Sequence, residues 1–105
     1  MGDYTLQLEA ENDLLEIGRY TAKTWGLEQA ERYLTQLHQH LQRIADAGTS
    51  EKPVFENRAD LRVTRCRHHY VFFLREDSGE VLVMAILHEK MDMINRLRQR
   101  LGEGL

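Results

Sequence analysis

Val81 to Leu87 is an unbroken apolar run, VLVMAIL, built mostly of branched side chains. It breaks into His88, Glu89, Lys90, Met91 and Asp92, after which Ile94 and Leu97 return at helical spacing. Such a run predicts a strand covered on both faces, with a polar cluster delivered to a surface at its end. The earlier segments read as its support. Tyr4–Leu8 alternates, predicting a short strand with Tyr4, Leu6 and Leu8 on one face. From Glu9 to Trp25, Ala10, Leu14, Ile17, Thr21 and Trp25 form one helical stripe. Asp13 and Glu16 lie toward its start, where the helix dipole favours acids. Gly26 is the predicted stop. Leu27 to about Ala47 carries a second stripe through Ala30, Tyr33, Leu34, Leu37, Leu41 and Ile44, with Gly48 as its end. So short a connection makes the two helices an antiparallel hairpin.

Gly48–Asp60 holds the single proline, Pro53, and reads as a surface loop anchored by Val54 and Phe55. Leu61–Cys66 alternates, with Leu61 and Val63 predicted inward and Arg62 and Thr64 outward. Tyr70–Leu74 is apolar on both faces, and Asp77-Ser78-Gly79 supplies a turn that pairs it with Val81–Leu87. Asp92–Leu101 predicts a short basic helix with Ile94, Leu97 and Leu101 on its apolar side. The expected fold class is α+β, one domain over residues 1–105: an N-terminal strand, an antiparallel helical hairpin packed on a small antiparallel sheet, and a short C-terminal helix.

The hairpin covers one sheet face. Alternation puts Tyr70, Phe72, Leu74, Leu82, Met84 and Ile86 on the other, and the last helix is short for shielding it. Contiguous exposed apolar surface of that kind marks an interaction site, so a partner chain is expected. Charge changes the picture further. Residues 1–57 hold five Lys/Arg against ten Asp/Glu, and residues 58–105 nine against seven, giving −5 and +2 and a net of −3. An acidic half and a basic half suggest two contact surfaces. The lone cysteine, Cys66, allows no internal disulfide and fits a reducing compartment. The N-terminus lacks a secretory pattern, and no apolar run reaches the roughly 18 residues of a membrane span. The expected location is the cytoplasm, away from membranes.

Histidine spacing argues against a metal. His68 and His69 are adjacent, so on a strand they point to opposite faces. His38 and His40 are two apart on a helix and do not face each other. No HxxxH, CxxC or HExxH spacing occurs, nor a Gly-rich phosphate loop or GxSxG. No metal or cofactor is therefore expected, and Cys66 reads as packing. His88, beside Glu89, Lys90 and Asp92, admits two readings: acid–base or phosphate chemistry, and a structural ring bonded to the following turn. Arg62, Arg65 and Arg67, with Arg58 upstream, read either as a phosphate-contacting edge or as solvated charges that discourage edge pairing. Arg96, Arg98 and Arg100 form a second basic set with the same two readings.

Four segments together resemble the ParE toxins of the RelE/ParE superfamily, closest to the plasmid type. They are Tyr4–Leu8 followed by Asp13, Leu14, Ile17, Tyr20 and Thr21; Trp25-Gly26 with Gln29, Ala30 and Tyr33; Arg65-Cys66-Arg67-His68-His69-Tyr70-Val71-Phe72; and Ala85 through Asp92, AILHEKMD. One departure is Glu9, where relatives often carry Ser or Thr before the first helix. The resemblance implies the fold just drafted. It also implies a ParD-like antitoxin whose C-terminal segment folds over the toxin, with promoter DNA bound only through that antitoxin. Arg62, Arg67, Tyr70, Phe72, Leu74, Leu82, Met84 and Ile86 are the antitoxin-binding candidates. The implied activity is not catalysis but inhibition of DNA gyrase, by stabilising the gyrase–DNA cleavage complex and so stopping replication and growth. Arg65, His88, Lys90, Arg96, Arg98 and Arg100 are the candidates for target contact. The alternative on the same fold is RelE-type, ribosome-dependent mRNA cleavage, and the lack of a Tyr or Phe at the chain end to stack a base leans away from it.

Overall fold

The computed structural model describes residues 2–102. In chain order it contains β1 (Tyr4–Leu6), α1 (Leu8–Trp25), α2 (Leu27–Ala45), β2 (Lys52–Phe55), β3 (Arg58–Cys66), β4 (His69–Arg75), β5 (Val81–His88) and α3 (Met93–Arg100). The α+β class and the helical hairpin are as predicted.

α1 starts one residue earlier than expected. Leu8 is its first residue and is 71% exposed, so it leaves the strand face assigned to it. No side chain caps this end, and Glu9 and Glu11 in the first turn offset the exposed N–H groups electrostatically. Ala10, Leu14, Ile17 and Thr21 are buried as predicted, but Trp25 is 71% exposed at the hairpin tip, where the stripe has nothing left to pack on. Gly26 alone joins the helices at φ +98°, a backbone angle that side-chain-bearing residues resist. Midway along α1, Gly18 permits close helix contact: a Cβ there would lie 3.1 Å from Leu34 Cδ1. At the end of α2 the left-handed residue is Ala47 (φ +58°), and Gly48 donates its N–H to Arg43 O at 2.8 Å. The stop is therefore one residue earlier than the glycine suggested.

The five strands lie in the order β1-β5-β4-β3-β2. β1 runs parallel to β5, Tyr4 opposite Val81, while the other neighbours are antiparallel. The sheet is thus mixed rather than purely antiparallel. The helical hairpin lies within the long connection that brings the chain back beside β1, and parallel neighbours need such a crossover. The predicted loop at Gly48–Asp60 contains β2 and the start of β3, paired antiparallel with an irregularity between Pro53 and Phe55. Pro53 sits on an edge strand, where its missing N–H spares the ladder.

One irregularity resets the core. Phe72 pairs with Ala85 but Phe73 pairs with Val83, leaving Met84 as an extra residue in β5. Val81, Val83 and Ile86 pack toward the hairpin with Leu37, Leu41 and Phe73. Met84, Ala85 and Leu87 pack on the other side with Leu61, Phe72 and Leu97. Ile86 therefore lies on the hairpin face, not on the second face predicted from strict alternation. Phe72 and Met84 do lie on the second face but are only 3% and 4% exposed, because α3 and β2 help cover it. In β3, Thr64 is buried, not outward, and its hydroxyl lies 3.3 Å from His40 Nε2 on α2. A sheet covered on both sides has two inward directions.

The bulge exposes backbone polar groups that side chains then satisfy. Asp13 Oδ2 accepts the Ile86 N–H at 2.9 Å. Arg100 grips the same carboxylate with both terminal nitrogens, at 2.5 and 2.8 Å, and donates to Met84 O at 3.3 Å. Its Nε pairs with Glu9 at 3.0 Å. α1, β5 and α3 are thereby pinned at one point. A second polar tie joins α2 to β4, where Tyr33 Oη lies 2.5 Å from His69 Nδ1. Burial, with the neighbouring His88 and His68 adding to it, lowers the His69 pKa to about 4.

Two predictions follow from these ties. Asp13→Ala removes both Asp13 bonds of the Arg100 guanidinium, leaves the Ile86 N–H unpaired and is expected to cost about 3 kcal/mol, read from the urea midpoint. Asp13→Asn keeps an acceptor for Ile86 and is expected to cost less. The His69 prediction concerns pH. Its folded pKa lies below its unfolded value of 6.5, so the unfolded chain binds the proton first. Stability is expected to fall as pH drops from about 6.5 toward 4, by up to about 1.4 kcal/mol per unit for this one group. His69→Gln is expected to flatten that part of the profile in thermal melts.

Candidate functional site

Two connections meet at one end of the sheet. The β3–β4 turn is only Arg67-His68, and Arg67 takes it at φ +56°, an uncommon angle for a long side chain. β5 ends beside it at His88, and the Glu89 N–H donates to His68 O at 2.9 Å. This bond brings AILHEKMD and RCRHHYVF into a single surface.

Arg65 extends over the Tyr70 ring, 5.6 Å from its centroid. Its Nε donates to Arg67 O at 2.7 Å and its Nη2 to Glu89 Oε2 at 2.8 Å. His68 Nδ1 lies 3.2 Å from the other Glu89 oxygen. One carboxylate is thus held by a guanidinium and an imidazole. The hydrogen bond from His68 keeps the Glu89 carboxyl below the usual carboxylate range, against the opposing effect of desolvation and with the charge of Arg65 helping. His88 stacks on His68 with ring centroids 6.3 Å apart and meets the His69 ring edge-on at 5.1 Å. His88 Nδ1 accepts the Lys90 N–H at 3.1 Å, so the ring is bonded to the following turn. Met91 donates its N–H back to His88 O at 3.0 Å, closing the turn toward α3. The side chains of Arg67 and Lys90 are exposed and have no ion-pair partner among the described residues.

Arg65, Arg67, His88 and Lys90 are therefore brought together. The three arginines of α3 are not one set. Arg96 is exposed. Arg98 lies over Phe55, 5.2 Å from the ring centroid, with its Nε buried and unpaired. Arg100 is enclosed in the Asp13 clasp, so its role in the fold is structural. Arg62 is also remote from Arg67. It pairs with Glu51 at 2.5 Å, and Arg75 holds the same carboxylate at 2.7 Å. Tyr70, Leu74 and Leu82 remain half-buried on the second face, beside the buried Phe72 and Met84. Burial pushes the Cys66 thiol up, which fits a packing role. Spacing alone missed Glu89 as the hub, Tyr33 as the partner of His69 and Glu51 as a bridge. Their partners lie 11 to 36 residues away in sequence. The only local signal was the polar break after β5. Among the described residues no group of His, Cys, Asp and Glu could hold a metal, and no helix is long and apolar enough to cross a membrane.

Known proteins resemble this chain along nearly its whole length. It is 46% identical to "Toxin ParE" of Escherichia coli over 101 residues, covering 96% of this chain and 98% of the relative. It is 31% identical to "Toxin ParE1" of Mycobacterium tuberculosis, covering 90% and 96%. Among solved structures, the chromosomal ParDE toxin–antitoxin system of P. aeruginosa contains a chain that superposes with a TM-score of 0.68 at 15% identity, over 84% of this chain and 96% of that one. A chain of the YoeB–YefM complex from Staphylococcus aureus superposes less closely, with a TM-score of 0.55 at 12% identity over 84% and 97%. At those identities the two structures speak for the fold alone. The family model for the ParE toxin of the type II toxin–antitoxin system parDE matches residues 4–93, which takes in the helical hairpin, the sheet and the strand-end cluster, and the chain belongs to that family.

Proposed function

We propose that this protein is the toxin of a type II module that inhibits DNA gyrase in the cytoplasm, by stabilising the gyrase–DNA cleavage complex, and that a ParD-like antitoxin neutralises it. Promoter DNA is met only through the antitoxin. Membership of the ParE family carries this reading. The strand-end rings are braced: His88 Nδ1 accepts the Lys90 N–H, His69 is buried against Tyr33, and His68 Nδ1 is engaged with Glu89. Beside them the exposed cations form a surface suited to binding. The exposed cations Arg67, Lys90 and Arg96, with Arg65, are then contacts to the target. Arg98 and His88 stand behind them as supports.

The antitoxin segment lies across the second sheet face, against Tyr70, Leu74 and Leu82, with Arg65 at one end offering a charge to an acidic side chain. Phe72 and Met84 contribute from beneath. Of the other candidates, Arg67 can meet the segment at the rim, while Arg62 is bound to Glu51 and Ile86 lies on the opposite face.

Purified toxin added to gyrase, relaxed plasmid and ATP is expected to abolish supercoiling and leave linear DNA trapped after denaturation, with antitoxin reversing both. Unaffected gyrase together with cleaved mRNA on translating ribosomes would replace this reading by the RelE type. For the antitoxin surface, Leu82→Lys is expected to weaken antitoxin binding by at least about tenfold in calorimetry, since a charge replaces one of the half-buried apolar contacts of that face. Thr35→Lys, on the exposed side of α2, is expected to leave it unchanged.

A further inference from the structure

The strand-end cluster has the form of an occupied anion site. Glu89 supplies its carboxylate from within the chain, one oxygen 2.8 Å from Arg65 Nη2 and the other 3.2 Å from His68 Nδ1. One guanidinium N–H of Arg65 and the His68 imidazole N–H form a donor set that also fits two oxygens of a phosphate diester, while Arg65 Nε is held by Arg67 O. The neighbours are further cations. Arg67 projects from the apex of the two-residue turn, and Lys90 follows Glu89 directly; both are exposed, and neither has an ion-pair partner among the described residues. The carboxylate neutralises one of these groups and leaves the local balance positive. The acidic charge of the chain is concentrated in residues 1–57, while residues 58–105, which supply this cluster, carry a net positive charge.

We propose that this cradle binds backbone phosphates of duplex DNA, and that Glu89 is an internal counter-anion that a phosphate displaces. The inference rests on the gyrase reading for its biological setting and deepens it: the toxin meets the DNA of the cleavage complex as well as the protein. The chemistry of the cluster favours a nucleic-acid backbone over an acidic peptide. Its exposed surface is guanidinium, ammonium and imidazole, whereas the half-buried apolar side chains that an amphipathic peptide needs lie on the second sheet face. Two cationic turns side by side suit a ligand that repeats its charge, as DNA does at every phosphate. Glu89 sets the affinity by competition, holding Arg65 and His68 in place while no phosphate is present.

The test uses the full chain freed from antitoxin and a labelled short duplex of mixed sequence, followed by fluorescence anisotropy across a salt series. Binding is expected at low salt, with the logarithm of affinity falling linearly with the logarithm of salt concentration. Arg67→Ala combined with Lys90→Ala is expected to weaken binding and reduce the salt slope by about 2. Glu89→Gln is expected to bind several-fold more tightly, because the amide keeps the shape but gives up the competing charge. A merely structural Glu89 would not produce that gain. Glu89→Ala and a thermal melt of every variant separate a lost fold from a lost site. The inference is overturned by absence of binding in both the natural protein and Glu89→Gln. An unchanged salt slope in the double variant, or unchanged or weaker binding by folded Glu89→Gln and Glu89→Ala, does the same. So does tighter binding to an acidic peptide than to the duplex. Gyrase assays on the same preparations keep the two readings apart. Full trapping of cleaved DNA by a toxin that binds no free duplex sinks this inference alone. Duplex binding without any effect on gyrase sinks the gyrase reading alone.

Discussion

The Asp13 carboxylate holds the three layers of the molecule together. It reaches from α1 to a backbone N–H freed by the bulge in β5 and to a guanidinium near the end of α3. The bulge in turn decides which side chains of β5 face which core. Without an acceptor for Ile86 and a donor for Met84 O, the extra residue would leave buried backbone groups unpaired, at a cost comparable to a lost hydrogen bond for each. Arg100, at 15% side-chain exposure, is strongly held by Asp13, and the attraction outweighs its partial burial. The same clasp seats α3 over Leu61, Phe72 and Leu87, so the second sheet face is partly covered by the chain itself.

That cover divides the molecule's surfaces. The hairpin side is sealed by Leu37, Leu41 and Ile44 and tied by His40–Thr64 and Tyr33–His69. The second side is sealed only along its middle, leaving Tyr70, Leu74 and Leu82 half open. At one end of the strands the cations gather around Glu89. An apolar face and a cationic rim, adjacent but chemically distinct, suit a protein with two partners: one that buries hydrophobic surface and one met through charge. In the proposed function these are the antitoxin and the gyrase–DNA complex. Arg65, stacked on Tyr70 and bonded to Glu89, belongs to both surfaces.

The exposed side chains of the hairpin carry no comparable meaning. Leu15, Tyr20, Trp25 and Leu27 are exposed on or near its outer side and tip. They stand among mixed charges such as Glu16–Arg19 and Glu28–Arg32, both solvent-exposed pairs that contribute little to stability. The buried or half-buried pairs, Asp13–Arg100 and Glu51 with Arg62 and Arg75, are the ones that fix tertiary geometry.

Periodicity in the chain determined the elements whose signal is local. The helical stripes through Leu14 and Leu41, the stop at Gly26, the turn at Asp77-Ser78-Gly79 and the buried run Val81–Leu87 all depend on neighbours within a few residues. The motif pairs RCRHHYVF and AILHEKMD likewise pointed to the family before any contact was visible. Three things had no local signal. The parallel pairing of β1 with β5 joins residues 77 apart in the chain, and β2 is too short and too interrupted by Pro53 to alternate. The bulge at Met84 shifts the faces of β5 by one residue, which moved Ile86 to the hairpin side and Leu87 to the other. Charge partners depend on distance in space, so the separation of Arg100 from Arg96, and the gathering of Arg65 and His68 on Glu89, were decided only when the sheet and its three covering helices came together.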